Sequence, residues 1–383
     1  MPAAGEQMKM KKMIYLVAGL FAWVGITAMA PGEEQLLYLA SQQDKTITVS
    51  TVNPESGALT EKHKLDLPGT PGPLAFSPDQ KLVYAAMTSV GDVPAAVATL
   101  RREKDGSLSL LSTAAIRTRA PYIRADLSGN FLLAAHYGAG DVTMYRITDG
   151  LVTDEMLDHH VTEKTAHCIE VDRSGQFVFV PHTGPNKVYQ FRLDPKAGKL
   201  VPNDPPFVAG PDTENRYHEP RHIAMHPEFD MAFTSNENGG GITSWKLDPK
   251  SGRLTQLETL STLPPGYEES SHAADIKITP NGRFAYVSNR DTTERAEGEA
   301  MRDTIAAVWI SLRTGKMKVV GHYATAHFPR SFCIDVSGEF LYAAGQKTTE
   351  LVAYRINRRS GALEQLKTYK VGGGPIWVMT ADQ

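Results

Sequence analysis

Residues 220–237 read PRHIAMHPEFDMAFTSNE, and the pattern returns without gaps as AADIKITPNGRFAYVSNR at 273–290 and PRSFCIDVSGEFLYAAGQ at 329–346. Each copy is an apolar run, a polar turn, and a second run rich in aromatic and β-branched residues. That order makes a β-hairpin, because the turn residues reverse the chain and the flanking runs pair. Working outward, the same register recovers PGPLAFSPDQKLVYAAMT at 71–88, APYIRADLSGNFLLAAHY at 120–137 and AHCIEVDRSGQFVFVPHT at 166–183. A second strand pair with its own turn follows each hairpin, as in GITSWKLDPKSGRLTQLETL at 241–260. Four strands per repeat of roughly 46 to 56 residues mark the blade of a β-propeller.

The two ends of the chain complete the count. Residues 36–67 hold only the last three strands of a unit, whereas GPIWVMTA at 374–381 holds a lone first strand. Joined, they make a seventh blade. The expected fold is therefore all-β: a seven-bladed propeller of four-stranded blades over residues 31–383, closed by the C-terminal strand joining the N-terminal blade. Such closure leaves no open sheet edge between first and last blades.

Residues 1–30 differ from the rest. Lys9, Lys11 and Lys12 precede the uncharged run MIYLVAGLFAWVGITAMA at 13–30, the basic and apolar regions of an export signal. This predicts a periplasmic or secreted protein. Cleavage after Ala30 would leave Pro31 at the new N-terminus, so cleavage after Ala28, or an uncleaved N-terminal anchor, stays open; about 18 apolar residues is near the lower limit for a membrane span. No further span is expected. A net charge of −3 and the lack of a basic, aromatic-rich stretch argue against nucleic-acid binding. Cys168 and Cys333, the only two cysteines, fall in separate repeats and are expected to be free and buried. The expected state is a monomer.

In a propeller blade the first strand lines the central channel and the second returns antiparallel, so the start of one meets the end of the other at the same channel mouth. The second-strand ends include Tyr137, Thr183, Glu237, Arg290 and Gln346, and the residues one step earlier include His136, His182, Asn236 and Asn289. First-strand starts include His167, Arg221 and Arg330. One carboxylate among arginines and imidazoles at a concave axis describes a small-molecule site. The stretch HEPRH at 218–222 has the letters of a zinc-protease helix, but Pro220 opposes a helix. In a strand, His218 and His222 cannot face one metal. No metal and no cofactor are expected.

PRHIAMHP with FTSNE, AADIKITPNGRFAYVSNR, FPRSF, LYAAGQ and the terminal GPIWV closely resemble the bacterial lactonase family of seven-bladed propellers, which includes the propeller-type 6-phosphogluconolactonases and carboxy-cis,cis-muconate cyclases. The resemblance runs from about residue 36 to 381. It implies a cleft worked by His167, Arg221, Glu237 and Arg290, with Arg330 matching the family's P-R-G/S-F. His182-Thr183-Gly184 and Asn238 depart from the family's usual residues at the mouth. The expected activity is hydrolysis of a small-molecule sugar lactone to its open acid. Glu237 would be the base, and Arg221 and Arg290 would hold the oxyanion. His167 would protonate the ring oxygen, and Arg330, His182, Asn236 and Asn289 would contact substrate. A muconate-type cycloisomerase and a non-catalytic binding propeller are the alternatives.

Overall fold

The computed structural model describes residues 35–382 except 214, 215, 239 and 297. The stretch at 1–30, expected from its sequence to be an export signal or anchor, thus lies outside the described residues. Seven four-stranded antiparallel sheets are present, with one extra two-stranded ladder between Asp212–Thr213 and Arg216–Tyr217. The first strands of blades 2 to 7 are Thr70–Phe76, Tyr122–Ala125, Glu170–Val171, Pro220–Met225, Ser271–Ile278 and Pro329–Ile334. Blade 1 takes Pro375–Asp382 as its first strand, pairing with Gln35–Ser41 so that Trp377 faces Ala40 and Asp382 faces Gln35. Chain closure is therefore made by strand pairing between the two ends.

Local sequence explains the turns. In Asp126-Leu127-Ser128-Gly129-Asn130, the Asp126 carboxylate accepts from the backbone N–H groups of Ser128, Asn130 and Phe131 at 2.8–2.9 Å. An Asp side chain thus takes up backbone donors that a tight turn leaves unpaired. Asp172 and Asp335 do the same in blades 4 and 7.

The apolar core lies between blades. Phe284, Tyr286 and Ile305 of blade 6 pack on Leu341, Ala343 and Tyr354 of blade 7, and every neighbouring pair repeats this arrangement of sheet faces. Second-strand tyrosines also hydrogen-bond across this gap between blades. The hydroxyls of Tyr84, Tyr286 and Tyr342 donate to the carbonyls of Gly150, Gly361 and Gly57, each in the outer turn of the next blade, at 2.9–3.0 Å. Gly57 needs its glycine twice over: its φ is +69°, and a Cβ would run into the Phe340 ring. Cys168 and Cys333 are free and buried, and burial pushes both thiols well above their ordinary value.

Candidate active site

An aromatic plug divides the channel. Tyr122 packs edge-on against both His222 and Trp377, with ring centroids 5.2 and 5.3 Å apart. On the side where first strands begin, here called the upper mouth, the cleft wall includes Arg119, His167, Arg221, Glu237 and Arg330. On the other side, the lower mouth, lie Arg124, Glu170, Asp275 and Lys277.

A repeated backbone device delivers the upper residues. Thr165, Glu219 and Phe328 adopt left-handed φ of 68, 57 and 62°, and each precedes by two positions a side chain of the mouth: His167, Arg221 or Arg330. A non-glycine residue held there costs on the order of 1–3 kcal/mol. The three carbonyls accept from the N–H groups of Thr183, Glu237 and Gln346, the second-strand ends, at 3.3, 2.8 and 3.0 Å. Each hook brings a first-strand start level with a second-strand end. Just beyond it, strand pairing skips a residue at Arg221 and at Arg330. Such a bulge suspends the alternation of faces, so Arg221 and His222 both line the channel.

Glu237 is the only carboxylate on the described walls of the upper mouth. Arg290 Nη2 donates to its Oε1 at 2.5 Å, and Arg221 Nε stands 3.6 Å from the same oxygen. Burial pushes the Glu237 carboxyl up, but the guanidiniums of Arg221 and Arg290 outweigh it and hold the group below the usual carboxylate range. Glu237 is thus ionised at neutral pH. Arg221 is fully buried. Its Nη1 donates to His222 Nε2 at 3.2 Å, whereas its Nε has no hydrogen-bond partner. Burial, with Arg290 and Arg330 nearby, pushes this guanidinium well below its ordinary value.

His167 does not fit the role of imidazolium acid. Burial, followed by Arg221, His222, Arg330 and Arg290, holds it well below its ordinary value, so the ring is neutral. Arg330 Nη2 lies 3.4 Å from His167 Nε2. A guanidinium only donates, so Nε2 accepts and Nδ1 carries the hydrogen. That Nδ1 is buried without a partner.

Four expected site residues are placed elsewhere. Arg290 stands behind Glu237, donating also to the carbonyls of His272 and Ala273 at 3.2 Å, and does not reach the cleft wall. His182 bonds Thr162 Oγ1 and the Val180 carbonyl at 2.8 and 2.9 Å; burial pushes its pKa down to about 4. Asn236 donates to Thr243 Oγ1, and Asn289 to the Thr262 carbonyl and Thr304 Oγ1. For His182, Asn236 and Asn289 the reason is strand alternation: one step before the second-strand end, the side chain lies on the opposite face from the end residue and bonds toward the third strand or the adjoining loop. Arg290, itself a strand end, is held by Glu237.

Three contributors do not stand at the strand starts and ends that the repeat marks out. Arg119 lies on a connecting loop, outside any strand. His222 and Asp275 sit in first strands, and their importance comes from the bulge and from a contact between blades. As for HEPRH, His222 is in the first strand of blade 5, its Nδ1 bonded to Asp275. Among the described residues no group of three His, Cys, Asp or Glu side chains could hold a metal ion.

Residues 33–380 match the family described as lactonase, 7-bladed β-propeller. The chain belongs to this lactonase family. It is 31% identical over 348 residues to the 6-phosphogluconolactonase of Serratia proteamaculans, covering 90% of this chain and 98% of that one. It is 30% identical over 349 residues to the 6-phosphogluconolactonase of Pectobacterium carotovorum, with the same coverage. Among solved structures, this lactonase-family propeller resembles a periplasmic gluconolactonase of Pseudomonas aeruginosa, with a TM-score of 0.78, 21% identity, and 91% and 99% of the two chains covered. A protein of Lactobacillus plantarum gives a TM-score of 0.79 at 22% identity, covering 92% and 100%. These two likenesses concern the fold.

Proposed function

We propose that this protein hydrolyses a sugar lactone to its open-chain acid at the upper mouth. Family membership and the 6-phosphogluconolactonases at about 30% identity support the reaction class. One observation carries the site assignment: an ionised Glu237 beside a buried Arg221 whose Nε, 3.6 Å from that carboxylate, makes no hydrogen bond. Both guanidinium contacts to Glu237 fall on Oε1, which leaves Oε2 for a water.

In the reaction, Glu237 takes a proton from that water as its oxygen attacks the lactone carbonyl. Charge developing on the carbonyl oxygen is met by the Arg221 Nε–H, a donor already in place and shielded from solvent, where electrostatic stabilisation is strongest. Collapse breaks the bond to the ring oxygen, and Glu237 returns the proton to it. A carboxyl with a depressed pKa is a weak base but a ready acid, and a strained ester needs little help in the first step. His167 donates its Nδ1–H to the departing oxygen without ionising. Arg290 holds Glu237 in position. Arg119 and Arg330 have no carboxylate partner among the described residues and suit a second anionic group on the lactone, a phosphate or a carboxylate. We also read residues 13–30 as directing export, which would favour a substrate formed outside the cytoplasm.

The test is acid release from gluconolactone and from its 6-phosphate by purified protein, with a muconate as the cycloisomerase control. Glu237→Gln should slow turnover on the active lactone by roughly 100- to 10,000-fold. Rates near wild type in that variant would end the assignment, and inactivity on all lactones would end the reading.

A further inference from the structure

Behind Arg221 runs a buried chain of polar contacts that the proposed hydrolysis does not use. His222 Nδ1 lies 2.9 Å from Asp275 Oδ1, across the gap between blades 5 and 6. Asp275 is fully buried and also accepts from Lys277 Nζ and the Ile276 N–H on its own blade, and from the Phe332 N–H on blade 7. A carboxylate only accepts and a guanidinium only donates. The tautomer of His222 follows without ambiguity: Nδ1 carries the hydrogen, and Nε2 offers its lone pair to Arg221 Nη1.

We propose that Asp275 and His222 are positioning residues that aim Arg221 at the developing oxyanion, acting through the guanidinium and touching no reacting atom. This rests on the reading of Arg221 as the oxyanion donor. Both ring nitrogens of His222 are occupied, so it has no proton to exchange with a ligand. Tyr122, His167 and Trp377 close around the ring, which prevents it from turning. Burial pushes its pKa down to about 3, so it stays neutral and keeps its acceptor. An apolar side chain would fill the same place without the cost of desolvating a carboxylate. What it would lose is the acceptor that fixes Arg221, and a misplacement of about 1 Å at a reacting centre costs on the order of 100-fold.

The experiment compares His222→Gln with His222→Leu. A Gln amide can accept from Arg221 and donate to Asp275; Leu can do neither. The expected result on the active lactone is kcat within about threefold of wild type for Gln and roughly 10- to 100-fold lower for Leu. KM should be little changed in both, because the oxyanion exists only beyond the ground state, and melting temperatures confirm folding. Equal kcat in folded Gln and Leu variants would overturn the proposal. Nitrogen-15 shifts of the wild-type His222 imidazole give a readout that needs no substrate: a protonated Nδ1 with bare Nε2 is expected, and the reverse tautomer overturns the relay even if the protein is inert on every lactone. Inert wild type with the expected tautomer would count against the hydrolysis reading, and Arg221 aiming would then be tested by inorganic phosphate affinity, expected weaker in the Leu variant and retained in Gln; equal affinities would overturn it.

Discussion

The two mouths of the channel carry similar side chains and treat them differently. At the lower mouth each cation has its anion: Arg124 lies 2.8 Å from Glu170, and Lys277 lies 2.9 Å from Asp275. At the upper mouth Arg119, Arg221 and Arg330 share one carboxylate, already taken by Arg290. A pair that reaches solvent, as Arg124 does with Glu170, holds a structure together modestly. A buried surplus of one sign costs stability unless something of the opposite sign arrives, so it marks where a ligand's charge is expected. The lesson lies in the pairing rather than in the number of charges.

Exchanging one arginine at each mouth tests this most severely. Arg221→Met should lower kcat/KM by roughly 100- to 1,000-fold, the scale of a lost oxyanion donor, with little loss of melting temperature because it relieves like-charge repulsion. Arg124→Met should do the opposite, leaving turnover within about threefold and lowering stability by about 1 kcal/mol, a figure kept small because Arg124 is part-exposed. If both variants behave alike, the contrast between the mouths is meaningless.

The next largest effect concerns the second anion. Arg330→Gln should raise KM for a phosphorylated or carboxylated lactone by about tenfold while leaving a neutral lactone unaffected. An equal change for neutral and anionic lactones would move the subsite elsewhere.

pH sharpens the comparison further. The Glu237 carboxyl is depressed in the folded protein, so it is ionised from neutral pH down through the ordinary Glu value near 4.3. The acid limb of kcat/KM should fall below that value, and the stability that this ion pair contributes is lost only as pH drops through the lowered pKa. Burial and the neighbouring guanidiniums hold His167 well below its ordinary value, so no limb is expected from it near neutral pH. A limb near pH 6.5, after subtraction of spontaneous hydrolysis, would restore an imidazolium acid to the mechanism.

The smallest effect lies away from both mouths. Tyr342→Phe removes the hydroxyl that joins blade 7 to Gly57 of blade 1. It should cost about 1 kcal/mol by chemical denaturation and leave turnover unaltered, since the bond lies at the outer turn.

Much of this molecule is written along the chain, because blade formation is local and periodic. Alternating runs, turn residues and a repeated register were enough to place seven sheets, close the ring through Trp377, and bring His167, Arg221, Glu237 and Arg330 to one mouth. Repeat register does not reveal where a single residue changes face. His182, Asn236 and Asn289 stand one step from the mouth and so point to the third strand or the adjoining loop. Bulges at Arg221 and Arg330 turned side chains that strict alternation would have separated.

The sequence by itself settled which residues share a level around the axis, since that depends only on repeat length and pairing register. Tertiary structure alone decided which of them are left without partners: that His167 is neutral, that Arg290 is occupied, and that Asp275 meets His222 across two blades. The physical reason is that protonation and pairing depend on burial and on distances of 3 to 4 Å between blades, and no periodicity within one strand encodes these.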